Sequence, residues 1–485
     1  MKICVIGGGG FRVPMVYGAL LDRAARLGIG EVALYDTDIG RMERILPVLH
    51  GLGAERGRRL PLVVTTDLDE ALDGADFVFC AIRVGHLEGR VVDESVPLQT
   101  SVLGQETIGP GGIAFALRTM PVMRQLAERV AVRAPDAWFI NFTNPAGLVT
   151  EGIQDILGAR VLGVCDSASS LCRRVAGVLD RPASDLRFDY FGLNHLGWLR
   201  GVYDGDRDLL PALLADESQL ARLEEGRLFG AEWLQTLGMI PNEYLMFFYF
   251  AAETVAVLRS GFEPRGATLQ RQQRAFYAAS EVRPVEALAA WRRTRREREQ
   301  SYFSEARLAT GARAGDGPDG GQDGYEREAL AIVEAIVSDE PRVLIVNTPN
   351  RGALPFLDDE AVVEVPCVVD GGGARPLAVG VVPAHARALI ETVKDVERTT
   401  IRAANERSPS LAIRALALHP LVPSVTTARR IFAGYVAGHP ELRGWPQRTD
   451  HAATPAPAQR RTAPIASARR PTGTPASDSQ RIGLP

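Results

Sequence analysis

Two breaks in apolar runs carry side chains that can do chemistry. The run VLGV (161–164) ends at Cys165-Asp166, and DYFGLNHLGW (189–198) delivers Asn194-His195 into otherwise apolar surroundings. A thiolate, a carboxylate and an imidazole that meet in space suit a divalent metal or an acid/base pair. The same residues also have a plainer reading. A buried cysteine is usually a small hydrophobe, and a lone histidine is usually a satisfied core residue. Spacing alone leaves both readings open, so the elements that would position these residues matter.

The N-terminal third supplies such elements. Lys2 to Ile6 reads as a buried strand, Gly7-Gly8-Gly9-Gly10 follows at once, and a helical run extends from Pro14 to Arg26. A strand, a tight glycine turn and a helix start form a dinucleotide-binding unit, whose helix N-terminus offers free N–H groups to a pyrophosphate. The third glycine of the fingerprint is absent, with Arg12 in its place, and Pro14 suits a first helical turn. A second strand, Glu31 to Tyr35, ends at Asp36, which can accept the ribose hydroxyls of NAD; Asp36 or Asp38 can equally cap a helix starting near Ile39. Leu62–Thr65 and Asp76–Ile82 read as further strands with a helix between them. This alternation predicts an α/β fold with a doubly wound, mostly parallel Rossmann-type sheet, with ligands at the carboxyl ends of the strands.

Polar residues gather at those ends. Arg83 and Arg90 lie in RVGHLEGR, where they share a face only if the stretch is helical. Glu106 sits in the glycine-rich GQETIGPGG (104–112), before a helix predicted over Ile113–Arg133. The strand Ala137–Phe142 ends in Thr143-Asn144-Pro145, a turn signal that projects an amide. Each alone is an ordinary loop residue, but together they come from several strand ends of one sheet.

Composition sets limits. The chain has 485 residues, 46% hydrophobic and 24% charged, with a net charge of −4, which gives no electrostatic case for nucleic-acid binding. Five cysteines set mostly in apolar runs argue against a disulfide framework and for a reducing, cytoplasmic location. MKICVIGGGG lacks the pattern of a signal peptide, and no stretch has the length of a membrane span. The predicted organisation is a nucleotide-binding domain over 1–180, a C-terminal α+β domain for substrate, metal and oligomer contacts over 181–447, and a Pro-, Ala- and Arg-rich disordered tail over 448–485. Asp206–Leu237 reads as a charged helical region. MIPNEYLMFFYF (239–250) reads as an apolar stretch whose Tyr244 is a packed core tyrosine on composition alone. RRTRREREQ (292–300) reads as a basic solvated or interface face.

These motifs taken together resemble glycoside hydrolase family 4, the NAD- and metal-dependent glycosidases, and within it most nearly the 6-phospho-β-glucosidases. The resemblance rests on GGGGFRVP (7–14), RVGHLEGR (83–90), GQETIGPGG (104–112), NFTNPAG (141–147), CD (165–166), GLNHLGW (192–198), MIPNEYL (239–245) and VLIVNTPNRGALPFLDDEAVVEVP (343–366), and covers residues 1–445. It implies a lactate/malate-dehydrogenase-like nucleotide domain. Gly7, Gly8, Gly9, Gly10, Phe11, Asp36 and Arg83 would hold NAD, and Cys165 and His195 a divalent metal, typically Mn²⁺. Arg90 and Asn144 would bind a small phosphorylated disaccharide or glycoside. Asp166 would be the acid, Tyr244 the base at sugar C2, and Glu106 the residue that raises its basicity. A homodimer or homotetramer is implied as well. The family departs from two-carboxylate hydrolysis. Oxidation at C3 makes C2 acidic, a Lewis acid stabilises the enediolate, elimination breaks the C1–O bond, water adds, and the hydride returns to C3.

This chain leaves the family pattern in places. CDSASSL carries Ala168 and Ser169 where a proline and an aliphatic residue usually follow, and Gly10 stands where serine is common. ARAGDGPDGGQDGYE (312–326) stretches a segment whose tyrosine corresponds to Tyr325. Two other readings remain: an NAD-dependent 2-hydroxy-acid dehydrogenase, which needs neither Cys165 nor Tyr244, and a non-catalytic sugar-phosphate or NAD sensor.

Overall fold

The computed structural model describes residues 1–312 and 324–445, so the segment read as a tail and most of the stretched glycine-rich loop lie outside the described residues. Six parallel strands form the heart of the molecule: β1 (Lys2–Ile6), β2 (Glu31–Tyr35), β3 (Leu62–Thr65), β4 (Phe77–Cys80), β5 (Trp138–Asn141) and β6 (Val161–Gly163). Their order across the sheet is 3-2-1-4-5-6, the doubly wound arrangement expected from the strand–helix alternation. Side-chain alternation explains the near-continuous apolar strands. Ile3, Val5, Phe77 and Phe79 feed the core on one face, while Cys4, Ile6, Val78 and Cys80 feed the core on the other.

The helices between these strands are α1 (Val13–Leu27), α2 (Ile39–Glu55), α3 (Leu68–Leu72), α4 (His86–Leu98), α5 (Pro110–Arg133), α6 (Ala146–Leu157) and α7 (Ser167–Val178). Helix α5 begins at Pro110, three residues before the sequence-based start at Ile113. Proline suits a first helical turn, and a Cβ on Gly112 would lie 2.1 Å from the Thr107 carbonyl oxygen. Glycine there lets the helix start press directly onto the Glu106 loop.

A second sheet follows. A hairpin of β7 (Arg187–Leu193) and β8 (Leu196–Asp204) forms its centre, and both β9 (Arg207–Asp208) and β10 (Ile240–Pro241) pair antiparallel with β8. The region read as charged and helical, Asp206–Leu237, is β9 followed by four short helices, because Asp216, Gly230 and Gly238 each start or stop one. The last strands, β11 (Arg342–Pro349), β12 (Val362–Asp370) and β13 (Gly373–Pro376), extend the first sheet antiparallel beyond β6, with Asn347 opposite Gly163. The C-terminal half therefore completes the nine-stranded sheet that the N-terminal half begins.

Two long helices cover the nucleotide half. The helix Arg265–Val282 brings Tyr277, which donates to the Gly9 carbonyl at 2.7 Å. The basic helix Ala287–Gln300 buries Ala287, Ala290 and Trp291, and Trp291 Nε1 donates to the Phe11 carbonyl at 2.9 Å. Its apolar face thus packs on the glycine turn, Arg298 lies over the Phe11 ring at 4.9 Å and lines the cavity, and Arg292 pairs with Glu55. The final helix, Val425–Gly438, starts at the Ser424 N-cap and was not legible as an amphipathic run. Among the described residues no helix is long and apolar enough to cross a membrane.

Candidate active site

A cavity of about 820 Å³ opens at the carboxyl ends of β1, β2, β4 and β5. The glycine turn forms one wall. Gly7 has φ +92°, and a Cβ there would lie 2.5 Å from the Ala81 carbonyl oxygen, so only glycine lets β1 turn this close to β4. Gly7 and Gly10 line the cavity, whereas Gly8 and Gly9 are buried behind it. Phe11 reaches the cavity wall, but its ring packs edge-on against Phe276 at 5.2 Å. Both aspartates of the second strand end have local roles. Asp36 accepts from the Gly9 N–H at 2.9 Å and lines the cavity, while Asp38 caps α2 by accepting from the Arg41 N–H at 3.1 Å.

Arg83, Arg90, Glu106, Asn144 and Tyr244 line the same cavity. Arg83 precedes α4 and Arg90 lies in its second turn, and both reach Glu106. The contacts are 2.5 Å from Arg83 to one carboxylate oxygen and 2.8 Å from Arg90 to the other. Burial pushes the Glu106 carboxyl up, but the guanidinium charges of Arg83 and Arg90 outweigh it and hold it at about 2. Arg90 also pairs with Glu94, one turn further along α4, at 2.7 Å. Asn144 stands at the β5–α6 turn, which Asn141 shapes by donating to the Thr143 and Ala146 carbonyls and accepting from the Thr143 N–H.

Cys165, Asp166 and His195 are not part of the cavity lining; Cys165 and His195 meet behind the Tyr244 ring, and Asp166 follows Cys165 in the chain. Cys165 follows β6, and Asp166 takes the N-cap position of α7 without a capping bond from its side chain, so the carboxylate is not spent on the helix. Asn194-His195 is the two-residue tip of the β7–β8 hairpin, closed by the Leu193–Leu196 pair. His195 has φ +62°, a conformation uncommon for residues other than glycine. The tip brings His195 Nε2 to 3.0 Å from Cys165 Sγ and His195 Nδ1 to 3.1 Å from Thr107 Oγ1. Burial holds the imidazole at about 3, so it stays neutral. Burial, followed by the negative charges of Glu364 and Asp166, pushes the Cys165 thiol well up. A divalent cation would reverse that, since a coordinating thiol is deprotonated.

Tyr244 separates the cavity from this pair. Strand β10 pairs with β8 at Leu199 and Trp198, and Asn242 turns the chain by accepting from the Tyr244 N–H at 3.0 Å. The Tyr244 ring then lies flat on His195, with centroids 3.7 Å apart and planes within 1°. Its hydroxyl accepts from the Tyr302 hydroxyl at 3.0 Å. Burial pushes the Tyr244 hydroxyl up, while the bond from Tyr302 acts the other way. Both Glu106 oxygens are held by arginines, and the Tyr244 hydroxyl is hydrogen-bonded to Tyr302.

Residues 2–181 match the family 4 glycosyl hydrolase sequence profile, and residues 190–422 match the profile of the family 4 glycosyl hydrolase C-terminal domain. The chain belongs to family 4 of the glycosyl hydrolases. This family 4 chain is 29% identical to the maltose-6'-phosphate glucosidase of Bacillus subtilis, over 92% of its own length and 97% of the relative's. It is 28% identical to a 6-phospho-beta-glucosidase of Thermotoga maritima, over 88% and 96% of the two chains. Among solved structures, the Thermotoga maritima 6-phospho-beta glucosidase with manganese, NAD+ and glucose-6-phosphate is similar with a TM-score of 0.76 and 27% identity, covering 90% of this chain and 98% of that one. A 6-phospho-alpha-glucosidase from gut microorganisms, in complex with NAD and Mn2+, is similar with a TM-score of 0.73 and 26% identity over 90% and 97% of the two chains.

The donor set of this family 4 chain fits a catalytic metal. A sulfur and an imidazole nitrogen face each other at 3.0 Å, and the other ring nitrogen is already engaged. Among the described residues no group of three His, Cys, Asp or Glu side chains forms a metal cage. Cys165 and His195 would supply two protein ligands to such a cation, which would be left open to act on a substrate as a Lewis acid.

Some participants were not legible in the sequence. Glu364, in the middle of β12, accepts from Asn194 Nδ2 at 3.1 Å, from Asn347 Nδ2 at 3.0 Å and from the Tyr190 hydroxyl at 3.1 Å, and so ties the hairpin tip to β11 and β12. Burial pushes its carboxyl up to about 7. Its one signal was an acid inside the apolar run AVVEVP (361–366). Tyr302 carried no signal at all. Arg265 also lines the cavity, and among the described residues its guanidinium donates to the Ser301 hydroxyl at 2.5 Å and the Arg298 carbonyl at 2.8 Å.

Proposed function

We propose that this chain hydrolyses the O-glycosidic bond of 6-phosphoglucosides, with the β-anomer as its substrate, using NAD⁺ and a divalent metal, Mn²⁺, that return unchanged each turnover. The observation that carries this reading is the stack of Tyr244 on His195 beside Cys165, at the same strand ends as a dinucleotide-type glycine turn. The β preference is supported by GQETIGPGG and MIPNEYL; the relatives include both α- and β-specific enzymes.

In this reading Cys165 and His195 hold the metal, and the glycine turn with the start of α1 holds the pyrophosphate. The chemistry these groups supply when bound is hydride acceptance at sugar C3 and Lewis-acid polarisation of the sugar oxygens. The residues of the chain do the rest. Tyr244 removes the C2 proton, and the hydrogen bond that Tyr302 donates stabilises the tyrosinate. Asp166, whose carboxylate caps no helix, delivers a proton to the leaving oxygen. Asn144 and Arg90 hold the sugar.

Arg265 is the group suited to the phosphate. Among the described residues no carboxylate lies within ion-pair distance of it, and burial with the nearby charge of Arg90 pulls it down to about 10. A buried guanidinium without an acid partner gains most from an anionic ligand.

The test is direct. The protein is incubated with NAD⁺, Mn²⁺ and the p-nitrophenyl 6-phospho-β- and 6-phospho-α-glucosides in separate reactions. The expected result is nitrophenol release from the β-substrate with no net NADH. Release from the α-anomer alone reverses the anomeric assignment. Steady NADH accumulation with 2-hydroxy acids overturns the glycosidase reading.

A further inference from the structure

A histidine ligates a metal as the neutral imidazole with one N–H, so the usefulness of His195 as a ligand depends on which nitrogen carries that proton. Hydrogen bonds two residues away decide it. The Thr107 N–H and the Ile108 N–H both end on Gln105 Oε1 at 2.7 Å. Two donors meeting on one atom identify that atom as the carbonyl oxygen, so the orientation of the Gln105 amide is settled by the backbone. The same oxygen lies 2.8 Å from Thr107 Oγ1. A hydroxyl facing an acceptor donates to it, and a hydroxyl has a single hydrogen. Thr107 Oγ1 therefore has only acceptor capacity left for His195 Nδ1, 3.1 Å away. The proton must sit on Nδ1, and Nε2 presents a bare lone pair toward Cys165 Sγ at 3.0 Å. An imidazole free in water carries its proton mainly on Nε2, so these contacts reverse the default.

We propose that Gln105 and Thr107 act as a positioning relay, which fixes His195 in its Nδ1–H tautomer and aims Nε2 and Cys165 Sγ at one divalent cation. Neither residue is a ligand; both act through His195. The ring has little other freedom, because Tyr244 covers its face and the hairpin tip holds its backbone. The relay also explains why Thr107 and Ile108 lie on a loop pinned by the start of α5: the glycines of GPGG press that loop into place, so the hydroxyl is held where the ring must find it.

The inference rests on the metal reading above, and the experiment separates the two. Spectra of ¹⁵N-histidine-labelled, metal-free protein report the His195 tautomer, assigned by its loss in His195→Gln. Calorimetric titration with Mn²⁺ reports metal affinity, and NAD⁺ titration serves as a readout of the folded nucleotide half. The parent is expected to show a protonated Nδ1 and a pyridine-type Nε2. Thr107→Val, which keeps the shape and removes the acceptor, should lose that preference and bind Mn²⁺ about 10- to 100-fold more weakly, with NAD⁺ affinity unchanged. Thr107→Ser should restore both the tautomer and the affinity. Gln105→Leu, which frees the Thr107 hydroxyl to turn, should shift the tautomer in the same direction as Thr107→Val and covers the case in which that variant does not fold. A parent protonated on Nε2, or Thr107→Val with parental Mn²⁺ affinity, overturns the relay. A parent that shows the Nδ1–H tautomer but binds no Mn²⁺ leaves the tautomer control standing and removes the metal from the proposed function.

Discussion

Helix α4 carries two arginine–carboxylate clusters of nearly the same composition and opposite character. On one face Asp93 receives both terminal nitrogens of Arg118 at 2.7 and 2.8 Å, with His439 at 2.9 Å from the same carboxylate, and the Asp93 and Arg118 side chains are wholly buried. On the other face Arg90 pairs with Glu94 and Glu106, and Arg83 completes the group. The first cluster ties α4, α5 and the end of the C-terminal helix together and does not line the cavity. The second borders the cavity. There two guanidiniums, Arg83 and Arg90, face two carboxylates, Glu94 and Glu106, and Arg265 lines the same cavity with no carboxylate in ion-pair distance among the described residues. Glu305 lies outside ion-pair distance of Arg265, and burial pushes its carboxyl toward the neutral form. The contrast teaches that buried ion pairs are not functional by virtue of burial. What separates the clusters is whether a charge next to open space remains for a ligand to answer.

The largest effect should come from breaking the sealed cluster. Asp93→Ala leaves Arg118 buried and unpaired, which costs about 3–5 kcal/mol. Urea denaturation should show this loss, while NAD⁺ affinity per folded molecule stays at the parental value. A loss below about 1 kcal/mol would mean that solvent reaches Arg118 and that the two clusters are alike.

Next in size is the pH response of the open cluster. Glu106 is held at about 2 in the folded protein, below its ordinary value of 4.5. Its ionised form therefore contributes fully above about pH 5, and that contribution fades as pH falls toward 2, about 3 kcal/mol in all. Stability measured across this range should fall more steeply for the parent than for Glu106→Gln. Parallel curves would show that the arginines do not hold Glu106 ionised.

The smallest effect concerns the excess charge. Arg265→Met should raise KM about tenfold, near 1.4 kcal/mol, for a 6-phosphorylated glycoside and leave KM for the unphosphorylated analogue unchanged. Equal changes for both substrates would assign Arg265 to the sugar or the fold instead of the phosphate.

Local patterning accounts for what was legible. The strand–glycine–helix unit at Lys2–Leu27 is written in consecutive residues, because a turn that tight tolerates no Cβ at Gly7 and a strand covered on both faces must be apolar throughout. The helix Tyr325–Ser338 is likewise local in origin, since fourteen residues of apolar period leave little choice. Asp206–Leu237 was legible as a helical region, but its charged, helix-forming residues hid β9 and the capping aspartate and glycines that cut it into short pieces. The region around Arg292 was half legible. Its charges marked an outer face, but only the structure showed Trp291 anchoring the helix on Phe11.

The site divides along the same line. Cys165-Asp166 and Asn194-His195 were visible from the sequence as chemistry at the ends of apolar runs, because a polar break in a buried strand marks the end of that strand. Their meeting was not visible, nor was its support. Glu364 holds Asn194 across 170 residues, and Thr107 holds His195 across 88. Tyr302 reaches the Tyr244 hydroxyl across 58. Sequence by itself determined the kinds of donor, the nucleotide-type turn and the family. Tertiary structure decided which nitrogen of His195 faces the sulfur, which arginine is left unpaired and what separates the cavity from the Cys165–His195 pair. A propensity acts through neighbours in the chain, whereas a hydrogen bond to a buried side chain exists only once distant strands and helices have packed.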